Sequence, residues 1–226
     1  VLTGWGKRRY DWEVQTGVHH EFMNGLSATA TYTRHWYGNF LVTDNLAVSP
    51  SDYTSYCVNA PADPRLPDGG TPICGFYDIN PNKFGQVNNL VTFAKNYGHQ
   101  TEVFNGVDLG VNVRLPRGIL LQGGTSTGHV VLDNCDLVGK VDNPTTSNSS
   151  GILASPSGLY CHNAPPFLTQ FKFLGVLPLP WWGLVTSGTF QSVPGPQITA
   201  TYAVTSAQVS GSLGRNLSAG TANVQL

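Results

Sequence analysis

The sequence predicts an all-β protein built from antiparallel strands. Three long segments alternate between polar and apolar residues, which is the two-residue period of a strand with two different faces. No apolar pattern with the 3.6-residue period of a helix continues beyond a turn or two, and no run of eighteen apolar residues exists. The 226 residues include 26 glycines and 15 prolines, which is typical of a chain with many turns.

The first predicted strand pair covers residues 10–42. Apolar and polar side chains of its first strand fall on opposite parities, namely Tyr10, Trp12, Val14, Val18 and Phe22 against Asp11, Glu13, Gln15, His19 and Glu21. Asn24-Gly25 is a strong signal for a tight hairpin turn. The return strand begins at Leu26 and alternates as far as Trp36. Both strands exceed the usual five or so residues of a globular protein.

Two further strand pairs are predicted at residues 100–132 and 167–192. In the central pair the apolar side chains of the first strand share one parity, namely Val103, Val107, Leu109, Val111, Val113 and Leu115, and Pro116-Arg117-Gly118 supplies a tight turn. The third pair alternates less regularly and turns at Pro180-Trp181-Trp182-Gly183. The stretch from Ile198 to Val204 fits either a strand or part of a long loop.

The remaining segments, residues 44–97, 133–166 and 193–226, are predicted to be long loops. Each of the first two contains one cysteine pair, so we expect local disulfides Cys57–Cys74 and Cys135–Cys161, although three connectivities are possible. Reduced, buried cysteines are the alternative to disulfides formed in an oxidising compartment. The loops should lack a core, and proteases should cut first between Pro61 and Gly70 or between Pro144 and Gly151.

Tight turns and long connections alternate along the chain, as in outer-membrane β-barrels with short periplasmic turns and long extracellular loops. The sequence therefore predicts a partial transmembrane barrel of about six to eight strands with a water-filled lumen. Two aromatic girdles are expected, one at Trp181 and Trp182 and one at Trp36, Tyr37 and Phe40. A soluble sandwich, acting as a secreted or surface binding or adhesion module, is the alternative.

Composition excludes one class of partner. Charged residues make up only 11% of the chain, against roughly 25% in ordinary soluble domains. The net charge of −1 provides no basic surface for nucleic acid.

Several runs resemble the C-terminal barrel of TonB-dependent receptors, in particular the Oar-like subgroup that carries an N-terminal carboxypeptidase-regulatory-like domain. They are residues 34–40 (RHWYGNF), 43–45 (TDN), 84–90 (FGQVNNL), 106–109 (GVDL) and 193–196 (VPGP). The resemblance implies a location in the Gram-negative outer membrane and uptake or surface binding of an unknown extracellular ligand. It also implies a TonB-type energising partner that acts through upstream domains. Because the chain begins at Val1 without a signal peptide, we expect it to be a fragment of a longer receptor.

One sequence pattern suggests catalysis. Gly124-Thr125-Ser126-Thr127-Gly128 matches the nucleophile elbow of serine hydrolases, with His129, Asp133 and His162 downstream. An elbow requires a helix directly after the serine, whereas this sequence continues as β. A serine hydrolase using Ser126 is therefore a remote alternative, and no catalytic residue is predicted.

Two groups of polar residues suggest metal ions. His19, His20 and Glu21 are adjacent strand residues that point to alternating faces, which is a poor arrangement for a metal site. The loop acids Asp63, Asp68 and Asp78 fit Ca²⁺, but turn formation explains them more simply. The sequence therefore predicts no metal and no cofactor site.

Overall fold

The computed structural model describes residues 3–66, 68–141, 143–144, 158–195 and 199–226. Within this part of the chain the protein is all-β apart from one α-helix and four short 3-10 turns. The strands are β1 (Tyr10–Met23), β2 (Leu26–Gly38), β3 (Leu41–Asn45), β4 (Tyr53–Asn59), β5 (Pro72–Ile79), β6 (Asn89–Phe93), β7 (Thr101–Leu115), β8 (Ile119–Asp133), β9 (Asn143–Pro144), β10 (His162–Asn163), β11 (Leu168–Pro178), β12 (Val185–Ser192), β13 (Thr201–Thr205) and β14 (Thr221–Gln225), and the helix is α1 (Ser206–Leu213). No described helix is long and apolar enough to cross a membrane.

Six long strands form one antiparallel sheet in the order β1-β2-β7-β8-β11-β12, and the short β10 also pairs with β8. Neighbours in the sheet follow each other along the chain, which confirms the predicted up-and-down arrangement. Among the described residues the sheet is open, with β1 and β12 at its edges.

The three tight turns lie at one end of this sheet. The first depends on Gly25, whose φ of 84° favours glycine. A Cβ atom at residue 25 would also lie within 2.3 Å of the Arg114 carbonyl oxygen on β7. Gly25 therefore sets both the hairpin and its close contact with the neighbouring strand.

The hydrophobic cores lie outside the six-stranded sheet. All fourteen buried hydrophobic side chains of the described residues belong to the connections between the long hairpins or to the C-terminal segment. The expectation that these loops lack a core is therefore wrong. Short strands separated widely in sequence pack together there, and their pairing gives no local signal.

The larger core joins the β4–β5 hairpin to β13, α1 and β14, and we call this unit the cap. Its buried side chains are Tyr56, Val58, Phe76, Val204, Val209, Leu213, Leu217 and Val224. The prediction that the segment 193–226 is one long loop is thus wrong. Residue 198 of the undecided stretch lies outside the described residues, and the strand there begins at Thr201.

The smaller core contains Phe40, Val42, Ala94, Leu137 and Val141, between β3, the 3-10 turn before β7 and the turn after β8. Phe40 is only 6% exposed, so its assignment to an aromatic girdle is wrong. Beside this core, hydrogen bonds from the Lys140 ammonium and the His99 amide hold the pKa of the Asp136 carboxyl below its usual value.

The structure contains both predicted disulfides, Cys57–Cys74 and Cys135–Cys161. The first bridges β4 and β5 beside a bulge between Tyr56 and Cys57. The Ser212 hydroxyl of α1 accepts a hydrogen bond from the Cys57 amide at 3.1 Å and lies 3.0 Å from its carbonyl oxygen. The helix therefore satisfies backbone groups beside the bulge.

An ion pair between Asp78 on β5 and Arg215 after α1 also connects the two halves of the cap. Arg215 donates to the carbonyl oxygens of Asp78 and Ile79 at 3.1 and 2.9 Å, and the Ser218 amide donates to the Asp78 carboxylate at 3.1 Å. Burial, followed by the nearby Asp78 charge, raises the pKa of Tyr56.

We expect Arg215→Ala to loosen the cap. The substitution leaves a mostly buried Asp78 carboxylate without its cation, at a cost of about 2 kcal/mol. Native-state hydrogen exchange of the β4 and β5 amides should therefore accelerate by about 30-fold.

The matched control for this change is Arg65→Ala. It breaks the exposed Arg65–Asp63 pair, whose arginine side chain is 88% exposed, and should alter exchange little. Equal exchange rates in both variants would show that the Asp78–Arg215 pair does not hold the cap together.

Candidate functional site

One face of the six-stranded sheet is polar. Directly paired residues of antiparallel strands share a face, so the registers define its rows. One row contains Gly17, Thr31, Asp108, Ser126 and Gln170, and the next contains His19, Thr29, Gly110, Gly124, Lys172 and Gln191. The predicted alternation on β1, β2 and β7 is thus carried across the whole sheet.

The opposite face is apolar and exposed. Its central rows are Val18, Ala30, Leu109, Thr125 and Phe171, and His20, Ala28, Val111, Gly123, Phe173 and Phe190. Val18 is 69% exposed, Leu109 48% and Phe190 60%. No described part of the chain covers this face, although large contiguous apolar patches are rare on soluble monomers.

A polar row bounds the apolar face near the end of the sheet that carries the long connections. It contains Arg34 and Asn105, which are paired, and His129. The Tyr32 hydroxyl donates to the Asn105 side chain at 2.7 Å. The His129 ring lies 2.9 Å from the Pro165 carbonyl oxygen and stacks on Phe167. The apolar surface therefore ends in a hydrogen-bonded border.

The polar face holds a depression of about 690 Å³ at its middle. The depression lies over Gly110 and Gly124, which pair directly across β7 and β8. A Cβ atom at residue 110 would find its nearest neighbour at 4.0 Å, so the space above Gly110 is open. A Cβ at residue 124 would meet the Leu109 carbonyl oxygen at 2.2 Å, so Gly124 permits the close approach of the two strands.

Charged and amide side chains surround this depression. They are Asp108, Asn112, Gln122, Gln170, Lys172 and Gln191. None of these six takes part in a side-chain hydrogen bond or ion pair with another described residue. Their donors and acceptors are therefore available to a solute.

A second pair of glycines on the polar face leaves no open space, because an aromatic ring covers it. The Phe104 ring lies over Gly106 and Gly128, where added Cβ atoms would approach ring atoms to 2.6 and 2.7 Å. Phe104 therefore fills the gap that these two glycines leave, in contrast to the open space at Gly110.

The structure separates the residues of the predicted nucleophile elbow. Ser126 pairs with Asp108 on the polar face, whereas His129 pairs with Asn105 on the apolar face. Asp133 is seven residues beyond Ser126, about 23 Å along an extended strand. His162 and Asp133 do meet, at 3.0 Å, but at the end of β8 and far from Ser126. This geometry provides no Ser-His-Asp triad.

The predicted metal candidates are also apart. His19 bonds to Thr29 on the polar face, while His20 contacts Phe22 on the other. Asp63 pairs with Arg65 within its own turn, and Asp78 pairs with Arg215 in the cap. Among the described residues, no group of three or more His, Cys, Asp or Glu side chains is arranged to hold a metal ion.

Sequence reasoning did not identify the depression. The polar parity of β7 and β11 is visible in the sequence, and it contains Asp108, Gln170 and Lys172. Their convergence depends on the β7-β8-β11 registers, which fix Lys172 opposite Gly124 and Gly124 opposite Gly110. A glycine on the polar parity of two adjacent strands was the available signal.

Comparison with known proteins identified no relative. No protein-family model, no curated protein and no solved structure matches the chain.

We expect Ser126→Ala to leave ester hydrolysis unchanged, because Ser126 and His129 face opposite sides of the sheet. The measurement is the release of p-nitrophenol from p-nitrophenyl acetate by the wild-type chain and by the variant. An acylation burst in the wild-type chain that disappears in Ser126→Ala would contradict this geometry.

Proposed function

We propose that the six-stranded sheet is part of an outer-membrane β-barrel belonging to a TonB-dependent receptor, which takes up or binds an extracellular ligand without catalysis. The main support is the uncovered apolar face, including Val18, Leu109 and Phe190, opposite a polar face. Lipid would cover the first face, and the second would line the lumen.

The height of the apolar surface fits a bilayer. From Leu115 beside the tight turn to Asn105 in the polar border, β7 advances ten residues. This corresponds to about 34 Å along the strand, or about 26 Å along the membrane normal at a typical tilt of about 40°. The apolar band of outer-membrane barrels is about 25 Å tall.

Aromatic side chains near both ends of the sheet agree with this placement. Trp181 and Trp182 are exposed in the last tight turn. Trp12 and Trp36 pair with each other beyond the polar border, at the opposite end. Tyr37, by contrast, pairs with Asp11 on the polar face and would not contribute to a lipid-facing girdle.

The cap fits an extracellular position. The cap and the smaller core lie in the connections that follow β2, β8 and β12, at the end of the sheet opposite the tight turns. Long connections of outer-membrane barrels face the cell exterior, where disulfides persist. Because these connections contain disulfides and hydrophobic cores, they can present a defined surface to a ligand.

Barrel closure and energy coupling are the two remaining parts of the proposal. A spanning barrel leaves no free edge, so β1 and β12 would each pair with a further strand. A TonB-type partner would act through upstream domains, and this step depends on the sequence resemblance alone.

The alternative is a soluble all-β binding or adhesion module. In such a protein the apolar sheet face would pack against a second layer. No described segment forms that layer, so the membrane proposal accounts better for the exposed side chains.

Detergent dependence and flotation separate these two proposals. The purified protein, together with the strands that we propose pair with β1 and β12, should remain dispersed only in detergent, and after reconstitution it should float with phospholipid vesicles. A monodisperse monomer without detergent that stays at the bottom of the gradient would contradict the membrane proposal.

A pair of adjacent substitutions tests the two faces. In vesicles, Leu109→Arg places a cation near the bilayer midplane and should lower the free energy of unfolding by about 2–4 kcal/mol. Asp108→Arg adds the same side chain on the polar face and should cost far less. Denaturant titration of both variants gives the comparison, and equal losses would contradict the proposed orientation.

A further inference from the structure

The depression over Gly110 has features of a binding site for a small solute. It lies on the face that we propose lines the lumen, so the inference rests on the proposed function and concerns the class of ligand. An aspartate and a lysine stand on different strands at its rim, and amide side chains that form no hydrogen bond with another described residue lie beside them.

The two charges are held apart by the sheet. Asp108 shares a row with Gln170, and Lys172 is two residues further along β11. β8 separates β7 from β11, so strand spacing and rise place the two Cα atoms about 12 Å apart. No ion pair joins the two side chains among the described residues. One negative and one positive group therefore face the same open space.

The side chains around the depression complement a peptide backbone. The amides of Asn112, Gln122 and Gln170 offer both donors and acceptors, which are the groups that peptide N–H and C=O require. A tripeptide in extended conformation spans about 10 Å between its ends. Its ammonium and carboxylate would then reach Asp108 and Lys172 respectively.

We propose that this depression binds a short peptide with free termini. Asp108 receives the terminal ammonium, Lys172 receives the terminal carboxylate, and the surrounding amides bond to the backbone. The bare Gly110 provides room for the chain against the sheet. Because a single ligand satisfies both charges, the site selects zwitterions over molecules of one charge sign.

The probe is trialanine, together with its N-acetyl and its C-amide derivatives. Binding to the complete barrel in phospholipid vesicles is measured by calorimetry, after flotation has shown that each sample is inserted. Asp108→Asn should lower the affinity for trialanine at least tenfold. It should not change the affinity for the N-acetyl derivative, which is already low because this peptide lacks the terminal ammonium. Lys172→Gln should likewise lower the affinity for trialanine at least tenfold, and it should not change the affinity for the C-amide derivative, which lacks the terminal carboxylate.

Matched controls remove a charge of the same sign from the polar face at a distance. Glu13→Gln and Arg114→Gln lie on other rows and should bind trialanine like the wild-type chain. Gly110→Leu should abolish binding without changing charge, because its side chain fills the open space above the sheet.

Three results would overturn the inference. They are a wild-type chain that floats with vesicles but does not bind trialanine at millimolar concentration, equal affinity for the blocked peptides, and affinities unaffected by Asp108→Asn and Lys172→Gln. In each case the flotation result would leave the membrane proposal standing. Failure to float would instead contradict the proposed function itself.

Discussion

The central constraint on this structure is the apolar face of the six-stranded sheet, which is exposed. Burial of apolar area is the main favourable term in folding, yet this sheet contributes no buried hydrophobic side chain to either core. Side chains such as Val18, Leu109 and Phe190 remain exposed on one face. The described residues do not cover this face, and we propose that lipid does.

The connections differ from the sheet, because they bury their hydrophobic side chains in cores of their own. The cap buries eight hydrophobic side chains, and a disulfide and the Asp78–Arg215 pair join its pieces. Apolar side chains are therefore buried in the connections and exposed on one face of the sheet. Both arrangements within one molecule agree with our proposal that the sheet lies in lipid and the connections in water.

Local patterns allowed the sheet to be predicted from the sequence. The cap, the burial of Phe40 and the depression depend on long-range contacts, which give no local signal. The two-residue period, Asn24-Gly25 and the cysteine spacing each act over a few residues, and the structure contains the strands, turn and disulfides that they indicate. The cap joins β4 and β5 to segments more than 120 residues later, and Asp78 and Arg215 are 137 residues apart. Phe40 was misplaced for the same reason, because its burial depends on Leu137 and Val141. The depression required the registers of three strands, which no single stretch encodes.

The most direct test of the central claim is a cysteine scan along β7 of the complete barrel in phospholipid vesicles, with the native cysteines replaced. Single cysteines at positions 107, 109 and 111 should take up a lipid-dissolved spin label and resist a water-soluble thiol reagent. Cysteines at positions 106, 108, 110 and 112 should react with the water-soluble reagent, except where Phe104 shields position 106. Alternation with a period of two along the strand is the result that the account predicts. Equal protection of both sets would mean that protein covers the sheet on both sides, and would contradict it.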